Sequence, residues 1–202
     1  MIASEWPILP SPPTLTPRTL TLDAWLALDE DEPGEWVDGT LEGEMPGYLH
    51  EVVVGFLVSM FTVWGRPRGA SAVASGLKFV LGPRRGRMPD VSVFLAGAKR
   101  PPREGGVHTP PSIAIEVVTP TPRDERRDRI EKANEYAAFG VKWYWLVDPA
   151  LRSVEVWELG ADGRYAQTVA AVTGVVDPVP GCDGLSLDID ALWREIDALP
   201  AE

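Results

Sequence analysis

The sequence predicts a mixed α/β fold with an α+β-like central sheet flanked by helices. Three observations lead there. Trp143-Tyr144-Trp145-Leu146-Val147 is an almost unbroken apolar run, as expected of a strand buried on both faces. Residues 48–64 carry Leu49, Val52, Val53, Phe56, Leu57, Met60, Val63 and Trp64 at helical spacing, which marks a core helix. Strand-like and helix-like segments alternate along the chain, the pattern of a sheet with helices packed on it.

The elements follow in order. Residues 1–18 are rich in Pro, Ser and Thr and read as an extended or disordered leader, leaving 19–202 as one domain. A short amphipathic helix over 21–28 is capped by Thr19 or Thr21. Residues 35–41 form a hairpin that turns at Asp38-Gly39. After the 48–64 helix, 70–81 is strand with a bend at Gly76, and 90–95 is strand again. A Pro- and Gly-rich loop over 97–111 precedes the strand 112–118. Thr119-Pro120-Thr121-Pro122 ends that ladder, because proline offers no donor. The chain then enters a helix over about 124–139, stopped by Gly140. Strands near 153–159 and 165–172 join through Asp162-Gly163, and a helix over 190–199 closes the sequence. No internal repeat appears.

Composition narrows the function. The chain has 202 residues, 45% of them hydrophobic, enough for a substantial core. The longest apolar stretch, Val52 to Trp64, is shorter than the roughly 18 residues of a membrane span. The N-terminus lacks the basic flank and apolar run of a secretory signal. Cys182 is the one cysteine, which excludes an intramolecular disulfide and a cysteine-rich zinc site, and a reducing cytoplasm is expected. A net charge of −11 argues against a protein that coats DNA. Arg84, Arg85 and Arg87, then Arg123, Arg126, Arg127 and Arg129, are clustered. They read either as a local basic rim or, with Asp124, Glu125, Asp128 and Glu131 between them, as a solvated charged face.

Chemistry concentrates at two acids. Asp90 opens the strand Val91-Ser92-Val93-Phe94-Leu95, where it either caps a turn or serves a site. Glu116 lies inside Ile113-Ala114-Ile115-Glu116-Val117-Val118, where an unpaired carboxylate costs several kcal/mol. Together they suit Mg²⁺, which takes one or two carboxylates and keeps waters. Such an ion generates a nucleophile and steadies a leaving oxygen. Lys132, on the following helix, either serves that centre or is a surface lysine paired with Asp128. On an α-helical wheel Ile130, Ala133 and Ala137 form the core stripe, and Lys132 projects off it. His50 heads His50-Glu51-Val52-Val53-Val54. A zinc-protease helix would need histidine at position 54, so His50 is a buried histidine or a neighbour of the site. The segment 82–88 lacks a P-loop ending, and no G-x-S-x-G occurs. Trp143, Trp145 and Trp157 read as core.

Read in sequence, Glu35-Trp36-Val37-Asp38-Gly39-Thr40-Leu41, His50, Pro89-Asp90-Val91-Ser92-Val93, Ile115-Glu116-Val117-Val118-Thr119-Pro120-Thr121, Asp128-Arg129-Ile130-Glu131-Lys132 with Tyr136, and Gly140-Val141-Lys142-Trp143-Tyr144-Trp145-Leu146-Val147-Asp148-Pro149 resemble the Uma-two family of restriction-endonuclease-like proteins in the PD-(D/E)XK nuclease superfamily. The match spans about 20–195. The resemblance implies a restriction-endonuclease-like core and a Mg²⁺- or Mn²⁺-dependent endonuclease acting on DNA as a homodimer. It implies Asp90 and Glu116 as metal ligands, with the Val117 carbonyl expected to help. The superfamily's strand lysine is replaced by Val118, and its role maps onto Lys132. Glu35 and His50 match positions near the site, with Glu35 among the catalytic candidates. Thr119 stands where serine is usual. The rival expectation is a catalytically silent member that uses the fold for binding or assembly.

Overall fold

The computed structural model describes residues 18–29, 32, 34–43 and 46–200, so the leader expected over 1–18 lies, but for Arg18, outside the described residues. Helix α1 (Leu22–Leu26) is capped by the Thr21 hydroxyl, which accepts from the Ala24 amide. Strands β1 (Glu35–Val37) and β2 (Thr40–Glu42) form the expected hairpin, with Asp38 and Gly39 both at positive φ in its turn. Helix α2 (Tyr48–Gly65) runs on into a short 3₁₀ turn, Arg66–Arg68. Strands β3 (Ser71–Ala74), β4 (Phe79–Gly82), β5 (Arg85–Arg87), β6 (Val91–Phe94) and β7 (Ile113–Val117) follow. The next helix is composite: α3 (Pro122–Arg126), a π-helical stretch (Arg127–Lys132) and α4 (Ala133–Phe139). Gly140, in the left-handed conformation at φ 94°, stops it. Strands β8 (Trp143–Asp148), β9 (Ser153–Leu159), β10 (Tyr165–Ala171), β11 (Val175–Val176) and β12 (Leu187–Asp188) lead to α5 (Ile189–Asp197).

The main sheet is six-stranded, in the order β10-β9-β8-β7-β6-β3. β7 and β8 are parallel, and every other pairing is antiparallel, so the sheet is mixed as the sequence predicts. The bend at Gly76 divides the expected 70–81 strand between two sheets. β3 edges the main sheet, while β4 joins a four-stranded sheet ordered β2-β1-β5-β4. Strand alternation gives the main sheet two different faces. Ile113, Ile115, Val117, Trp145 and Val147 pack with Val53, Leu57 and Phe61 of α2 and Leu192 of α5. Ala114, Tyr144 and Leu146 pack on the other side with Ala133 and Tyr136 of α4. Alternation therefore points Glu116 toward α4 rather than α2.

The small sheet rests on Trp25 and Trp36, stacked with ring centroids 6.4 Å apart. A Cβ on Gly86 would stand 2.5 Å from the Trp25 ring, so only glycine lets β5 lie this close. Helix α2 proves longer than its apolar core. Tyr48–Arg68 is long and apolar enough by length and composition to cross a membrane, contrary to the expectation from Val52–Trp64. Its Val53, Val54, Leu57 and Phe61 nevertheless form a buried stripe on the sheet, as in the core helix of a globular fold.

Candidate active site

The β6–β7 register aligns Val91 with Ile115, and continuing it sets Asp90 opposite Glu116. Directly opposed residues of an antiparallel pair share a face. The two acids are thus brought together by strand geometry. The Val117 amide donates to Asp90 Oδ2 at 2.7 Å, so Val117 meets Asp90 through its N–H. His50, at the start of α2, brings Nε2 to 3.2 Å from the same oxygen. This makes His50 a neighbour of the site. Burial works against its charged form, but Asp90 and Glu51 outweigh it and push its pKa up.

Glu116 is buried at 2% exposure, and both its oxygens are engaged. Lys132 Nζ donates to Oε2 at 2.7 Å, and the Tyr136 hydroxyl donates to Oε1 at 2.7 Å. Lys132 is 5% exposed, which decides against the surface lysine. Its ammonium also lies 3.3 Å from Asp128 Oδ1 and 3.4 Å from Glu35 Oε1. The helical wheel failed because the face turned to the sheet is charged. Asp128, Lys132 and Tyr136 line up at i, i+4 and i+8, while Ile130 stands 56% exposed. The π-helical stretch, with its wider i→i+5 bonding, offsets the apolar stripe from the one α-helical spacing predicts.

Glu35 arrives from β1. Arg87, fully buried on β5, reaches it at 2.7 Å and grips Glu135 of α4 at 2.6 Å. The Met88 amide donates to Glu35 Oε1 at 3.1 Å. Burial alone would raise the Glu35 pKa, but Lys132 and Arg87 outweigh it and lower it. Glu116 is different. Burial, with Asp90, Asp128 and Glu35 close by, holds its carboxyl well above the usual range despite Lys132. Burial opposes the charge on Lys132 too, yet Glu116, Glu35 and Asp128 raise its pKa and keep it an ammonium. The cluster holds more acid than it has cations to match.

The arginines do not form a free basic rim. Arg84 and Arg85 meet Asp38, and Arg87 is interior. Arg126 pairs with Glu131, Arg127 with Asp124 and Asp128, and Arg129 with Asp148 and Glu155. Arg87, Asp128 and Tyr136 belong to this site as well, although the sequence reading named them without giving them a role in it. The i, i+4 spacing from Asp128 through Lys132, carried one step on to Tyr136, is the sequence signal that sets these three side chains on one face.

A cleft of about 810 Å³ opens onto Asp90, His50, Glu35 and Lys132. Thr119 and Lys78 line it as well. Among the described residues no group of three or more His, Cys, Asp or Glu is arranged to hold a metal ion. The Asp90–Glu116 pair still fits a hard divalent ion of the magnesium type, which needs only one or two carboxylates.

The family model described as "Putative restriction endonuclease", Uma2, matches residues 21–190. The chain belongs to the Uma2 family. Asp90, Glu116, Lys132 and Glu35 all fall within the matched stretch of this Uma2 chain. Among solved structures it is similar to the crystal structure of a putative nuclease belonging to DUF820 from Anabaena variabilis. The identity is 24% and the TM-score 0.66, over 88% of this chain and 99% of that one. The likeness shows a shared fold. No curated protein matches this Uma2 chain.

Proposed function

We propose that this Uma2 protein is a divalent-metal-dependent endonuclease that hydrolyses phosphodiester bonds in DNA. The observation that carries the reading is the Asp90–Glu116 pair. The two acids stand opposite each other in strand register, Asp90 on the wall of the cleft and Glu116 buried next to it with an ammonium on its carboxylate. Their excess of acid is the setting a divalent cation relieves. In this reading Asp90, Glu116 and the Val117 carbonyl hold Mg²⁺ or Mn²⁺. The ion, when bound, supplies an activated water and neutralises charge at the scissile phosphate.

The chain's own groups do the rest. Lys132 stays charged and presents a proton-bearing ammonium beside the pair. Tyr136 fixes the rotamer of Glu116 from behind. Glu35, held by Arg87 and the Met88 amide, gives Lys132 a second carboxylate contact that orients it. His50 steadies Asp90. The reading extends to a cytoplasmic protein, in keeping with the buried free thiol of Cys182. It also extends to a homodimer, supported by the apolar residues that α2 leaves in solvent, Tyr48 at 71% and Val63 at 75% exposure.

One observation favours the rival reading of a silent binding module: the net charge of −11, with the arginine clusters already paired. The test is cleavage of supercoiled plasmid and of a single-stranded DNA circle in Mg²⁺ and in Mn²⁺, beside Glu116→Ala. The endonuclease reading expects metal-dependent cutting by the parent and none by the variant. Intact DNA with both metals would leave the binding module.

A further inference from the structure

The cleft is poorly equipped to hold a duplex. Seven Asp and Glu side chains line it against four Lys and Arg. Three of those four cations are committed elsewhere. Lys78 donates to the carbonyls of Trp25 at 2.9 Å and Leu28 at 2.7 Å, closing the end of α1. Lys132 is held by Glu116, Glu35 and Asp128, and Arg127 by Asp124 and Asp128. Arg103, on the 97–111 loop, is the cleft cation with no ion pair among the described residues. Duplex affinity comes mainly from Lys and Arg on phosphates, and duplex DNA carries one charge per about 1.7 Å of axis, twice the density of a single strand.

Depth points the same way. Lys132, which lines the cleft, is only 5% exposed, and Glu116, bonded to it, lies behind the lining at 2%. A stiff duplex keeps its phosphates on a wide cylinder and cannot lower one of them there. A single strand bends, and its unpaired bases offer apolar faces. Leu26, Leu28, Leu77, Met88 and Pro102 line the cleft and give such bases a wall.

We propose that the substrate taken into this cleft is single-stranded DNA, with its bases against that apolar wall and Arg103 as its phosphate clamp. The proposal rests on the nuclease reading for the chemistry and adds the form of the substrate.

The test measures fluorescence anisotropy of a labelled single-stranded dodecamer and of the duplex of the same sequence. Both are titrated with the full chain in Ca²⁺, across a range of salt. The single strand should bind at least about tenfold tighter, with a log K against log[salt] slope near about −1, as for one or two phosphate contacts. Arg103→Glu should weaken that binding by about tenfold and flatten the slope by roughly 0.7. Equal or tighter binding of the duplex, no binding of either, or an indifferent Arg103→Glu overturns the proposal. Cleavage of the two dodecamers in Mg²⁺ and Mn²⁺ separates the two ideas. Single-strand preference in binding with neither oligonucleotide cut would sustain this inference and end the nuclease reading. Faster cutting of the duplex would do the reverse.

Discussion

Lys132 Nζ stands 2.7 Å from Glu116 Oε2, although one residue comes from a helix and the other from the strand before it. The strand position two residues after Glu116 holds Val118, which is buried among Ala114, Ala133 and Tyr136. A lysine there would have to displace that packing. The helix supplies the charge instead, along the stripe Asp128, Lys132, Tyr136.

Replacing Lys132 tests whether this charge is structural, functional or both. In Lys132→Ala three carboxylates lose their shared cation inside the protein. Removing one partner of a buried ion pair costs about 3–5 kcal/mol. An exposed i, i+4 pair would cost only about 0.3–0.5 kcal/mol. Urea denaturation should therefore show the larger loss, and cleavage should vanish. A variant as stable and as active as its parent would remove Lys132 from the site.

Metal should stabilise the fold through the acid pair. A ligand at a hundred times its Kd adds about 2.7 kcal/mol to folding stability. Thermal melting in saturating Mg²⁺ or Mn²⁺ should show a rise for the parent. The rise should be absent in Asp90→Asn and in Glu116→Gln, which keep side-chain size and lose charge. An equal rise in all three proteins would place the ion elsewhere.

Arg87 fastens the small sheet to α4 by gripping Glu35 on one side and Glu135 on the other. Arg87→Ala leaves both acids short of a buried partner and should cost about 3–5 kcal/mol. Arg87→Lys should recover little, because one ammonium cannot reproduce the two-sided fork. Chemical denaturation of the two variants reads this directly. A lysine variant as stable as the parent would show that charge alone suffices.

Cys182 is fully buried, and burial, with Asp183 adding to it, pushes its thiol up to about 12. Thiolate is the reactive form, so near pH 8 this sulfur is a protonated thiol with no access. A thiol-specific chromogenic reagent should label it only in denaturant. Stoichiometric labelling of the native protein would contradict the packing of the segment that precedes α5.

The homodimer prediction rests on the solvent face of α2. Light scattering should give twice the 22.0 kDa chain mass, and Val63→Glu should return it to that of one chain. A single-chain mass for the parent at all working concentrations would leave the face unexplained.

By itself the sequence determined the sheet, the core helix and the two acids. Those features are local: β-branched runs mark β6, β7 and β8, apolar spacing marks α2, and Glu116 stands out because its neighbours are apolar. The hairpin turn at Asp38-Gly39 and the stop at Gly140 are equally local, since each depends on a backbone conformation that few residues adopt. Only the tertiary structure decided what surrounds those acids. A charged stripe can face a core when its partners arrive from elsewhere, and apolar periodicity cannot report it, so Lys132 was placed on the helix flank. The same holds for Arg87, which reads as one of several surface arginines until β5 carries it between Glu35 and Glu135. Pairing between distant segments costs chain entropy and is repaid only on folding, which is why no window of sequence displays it.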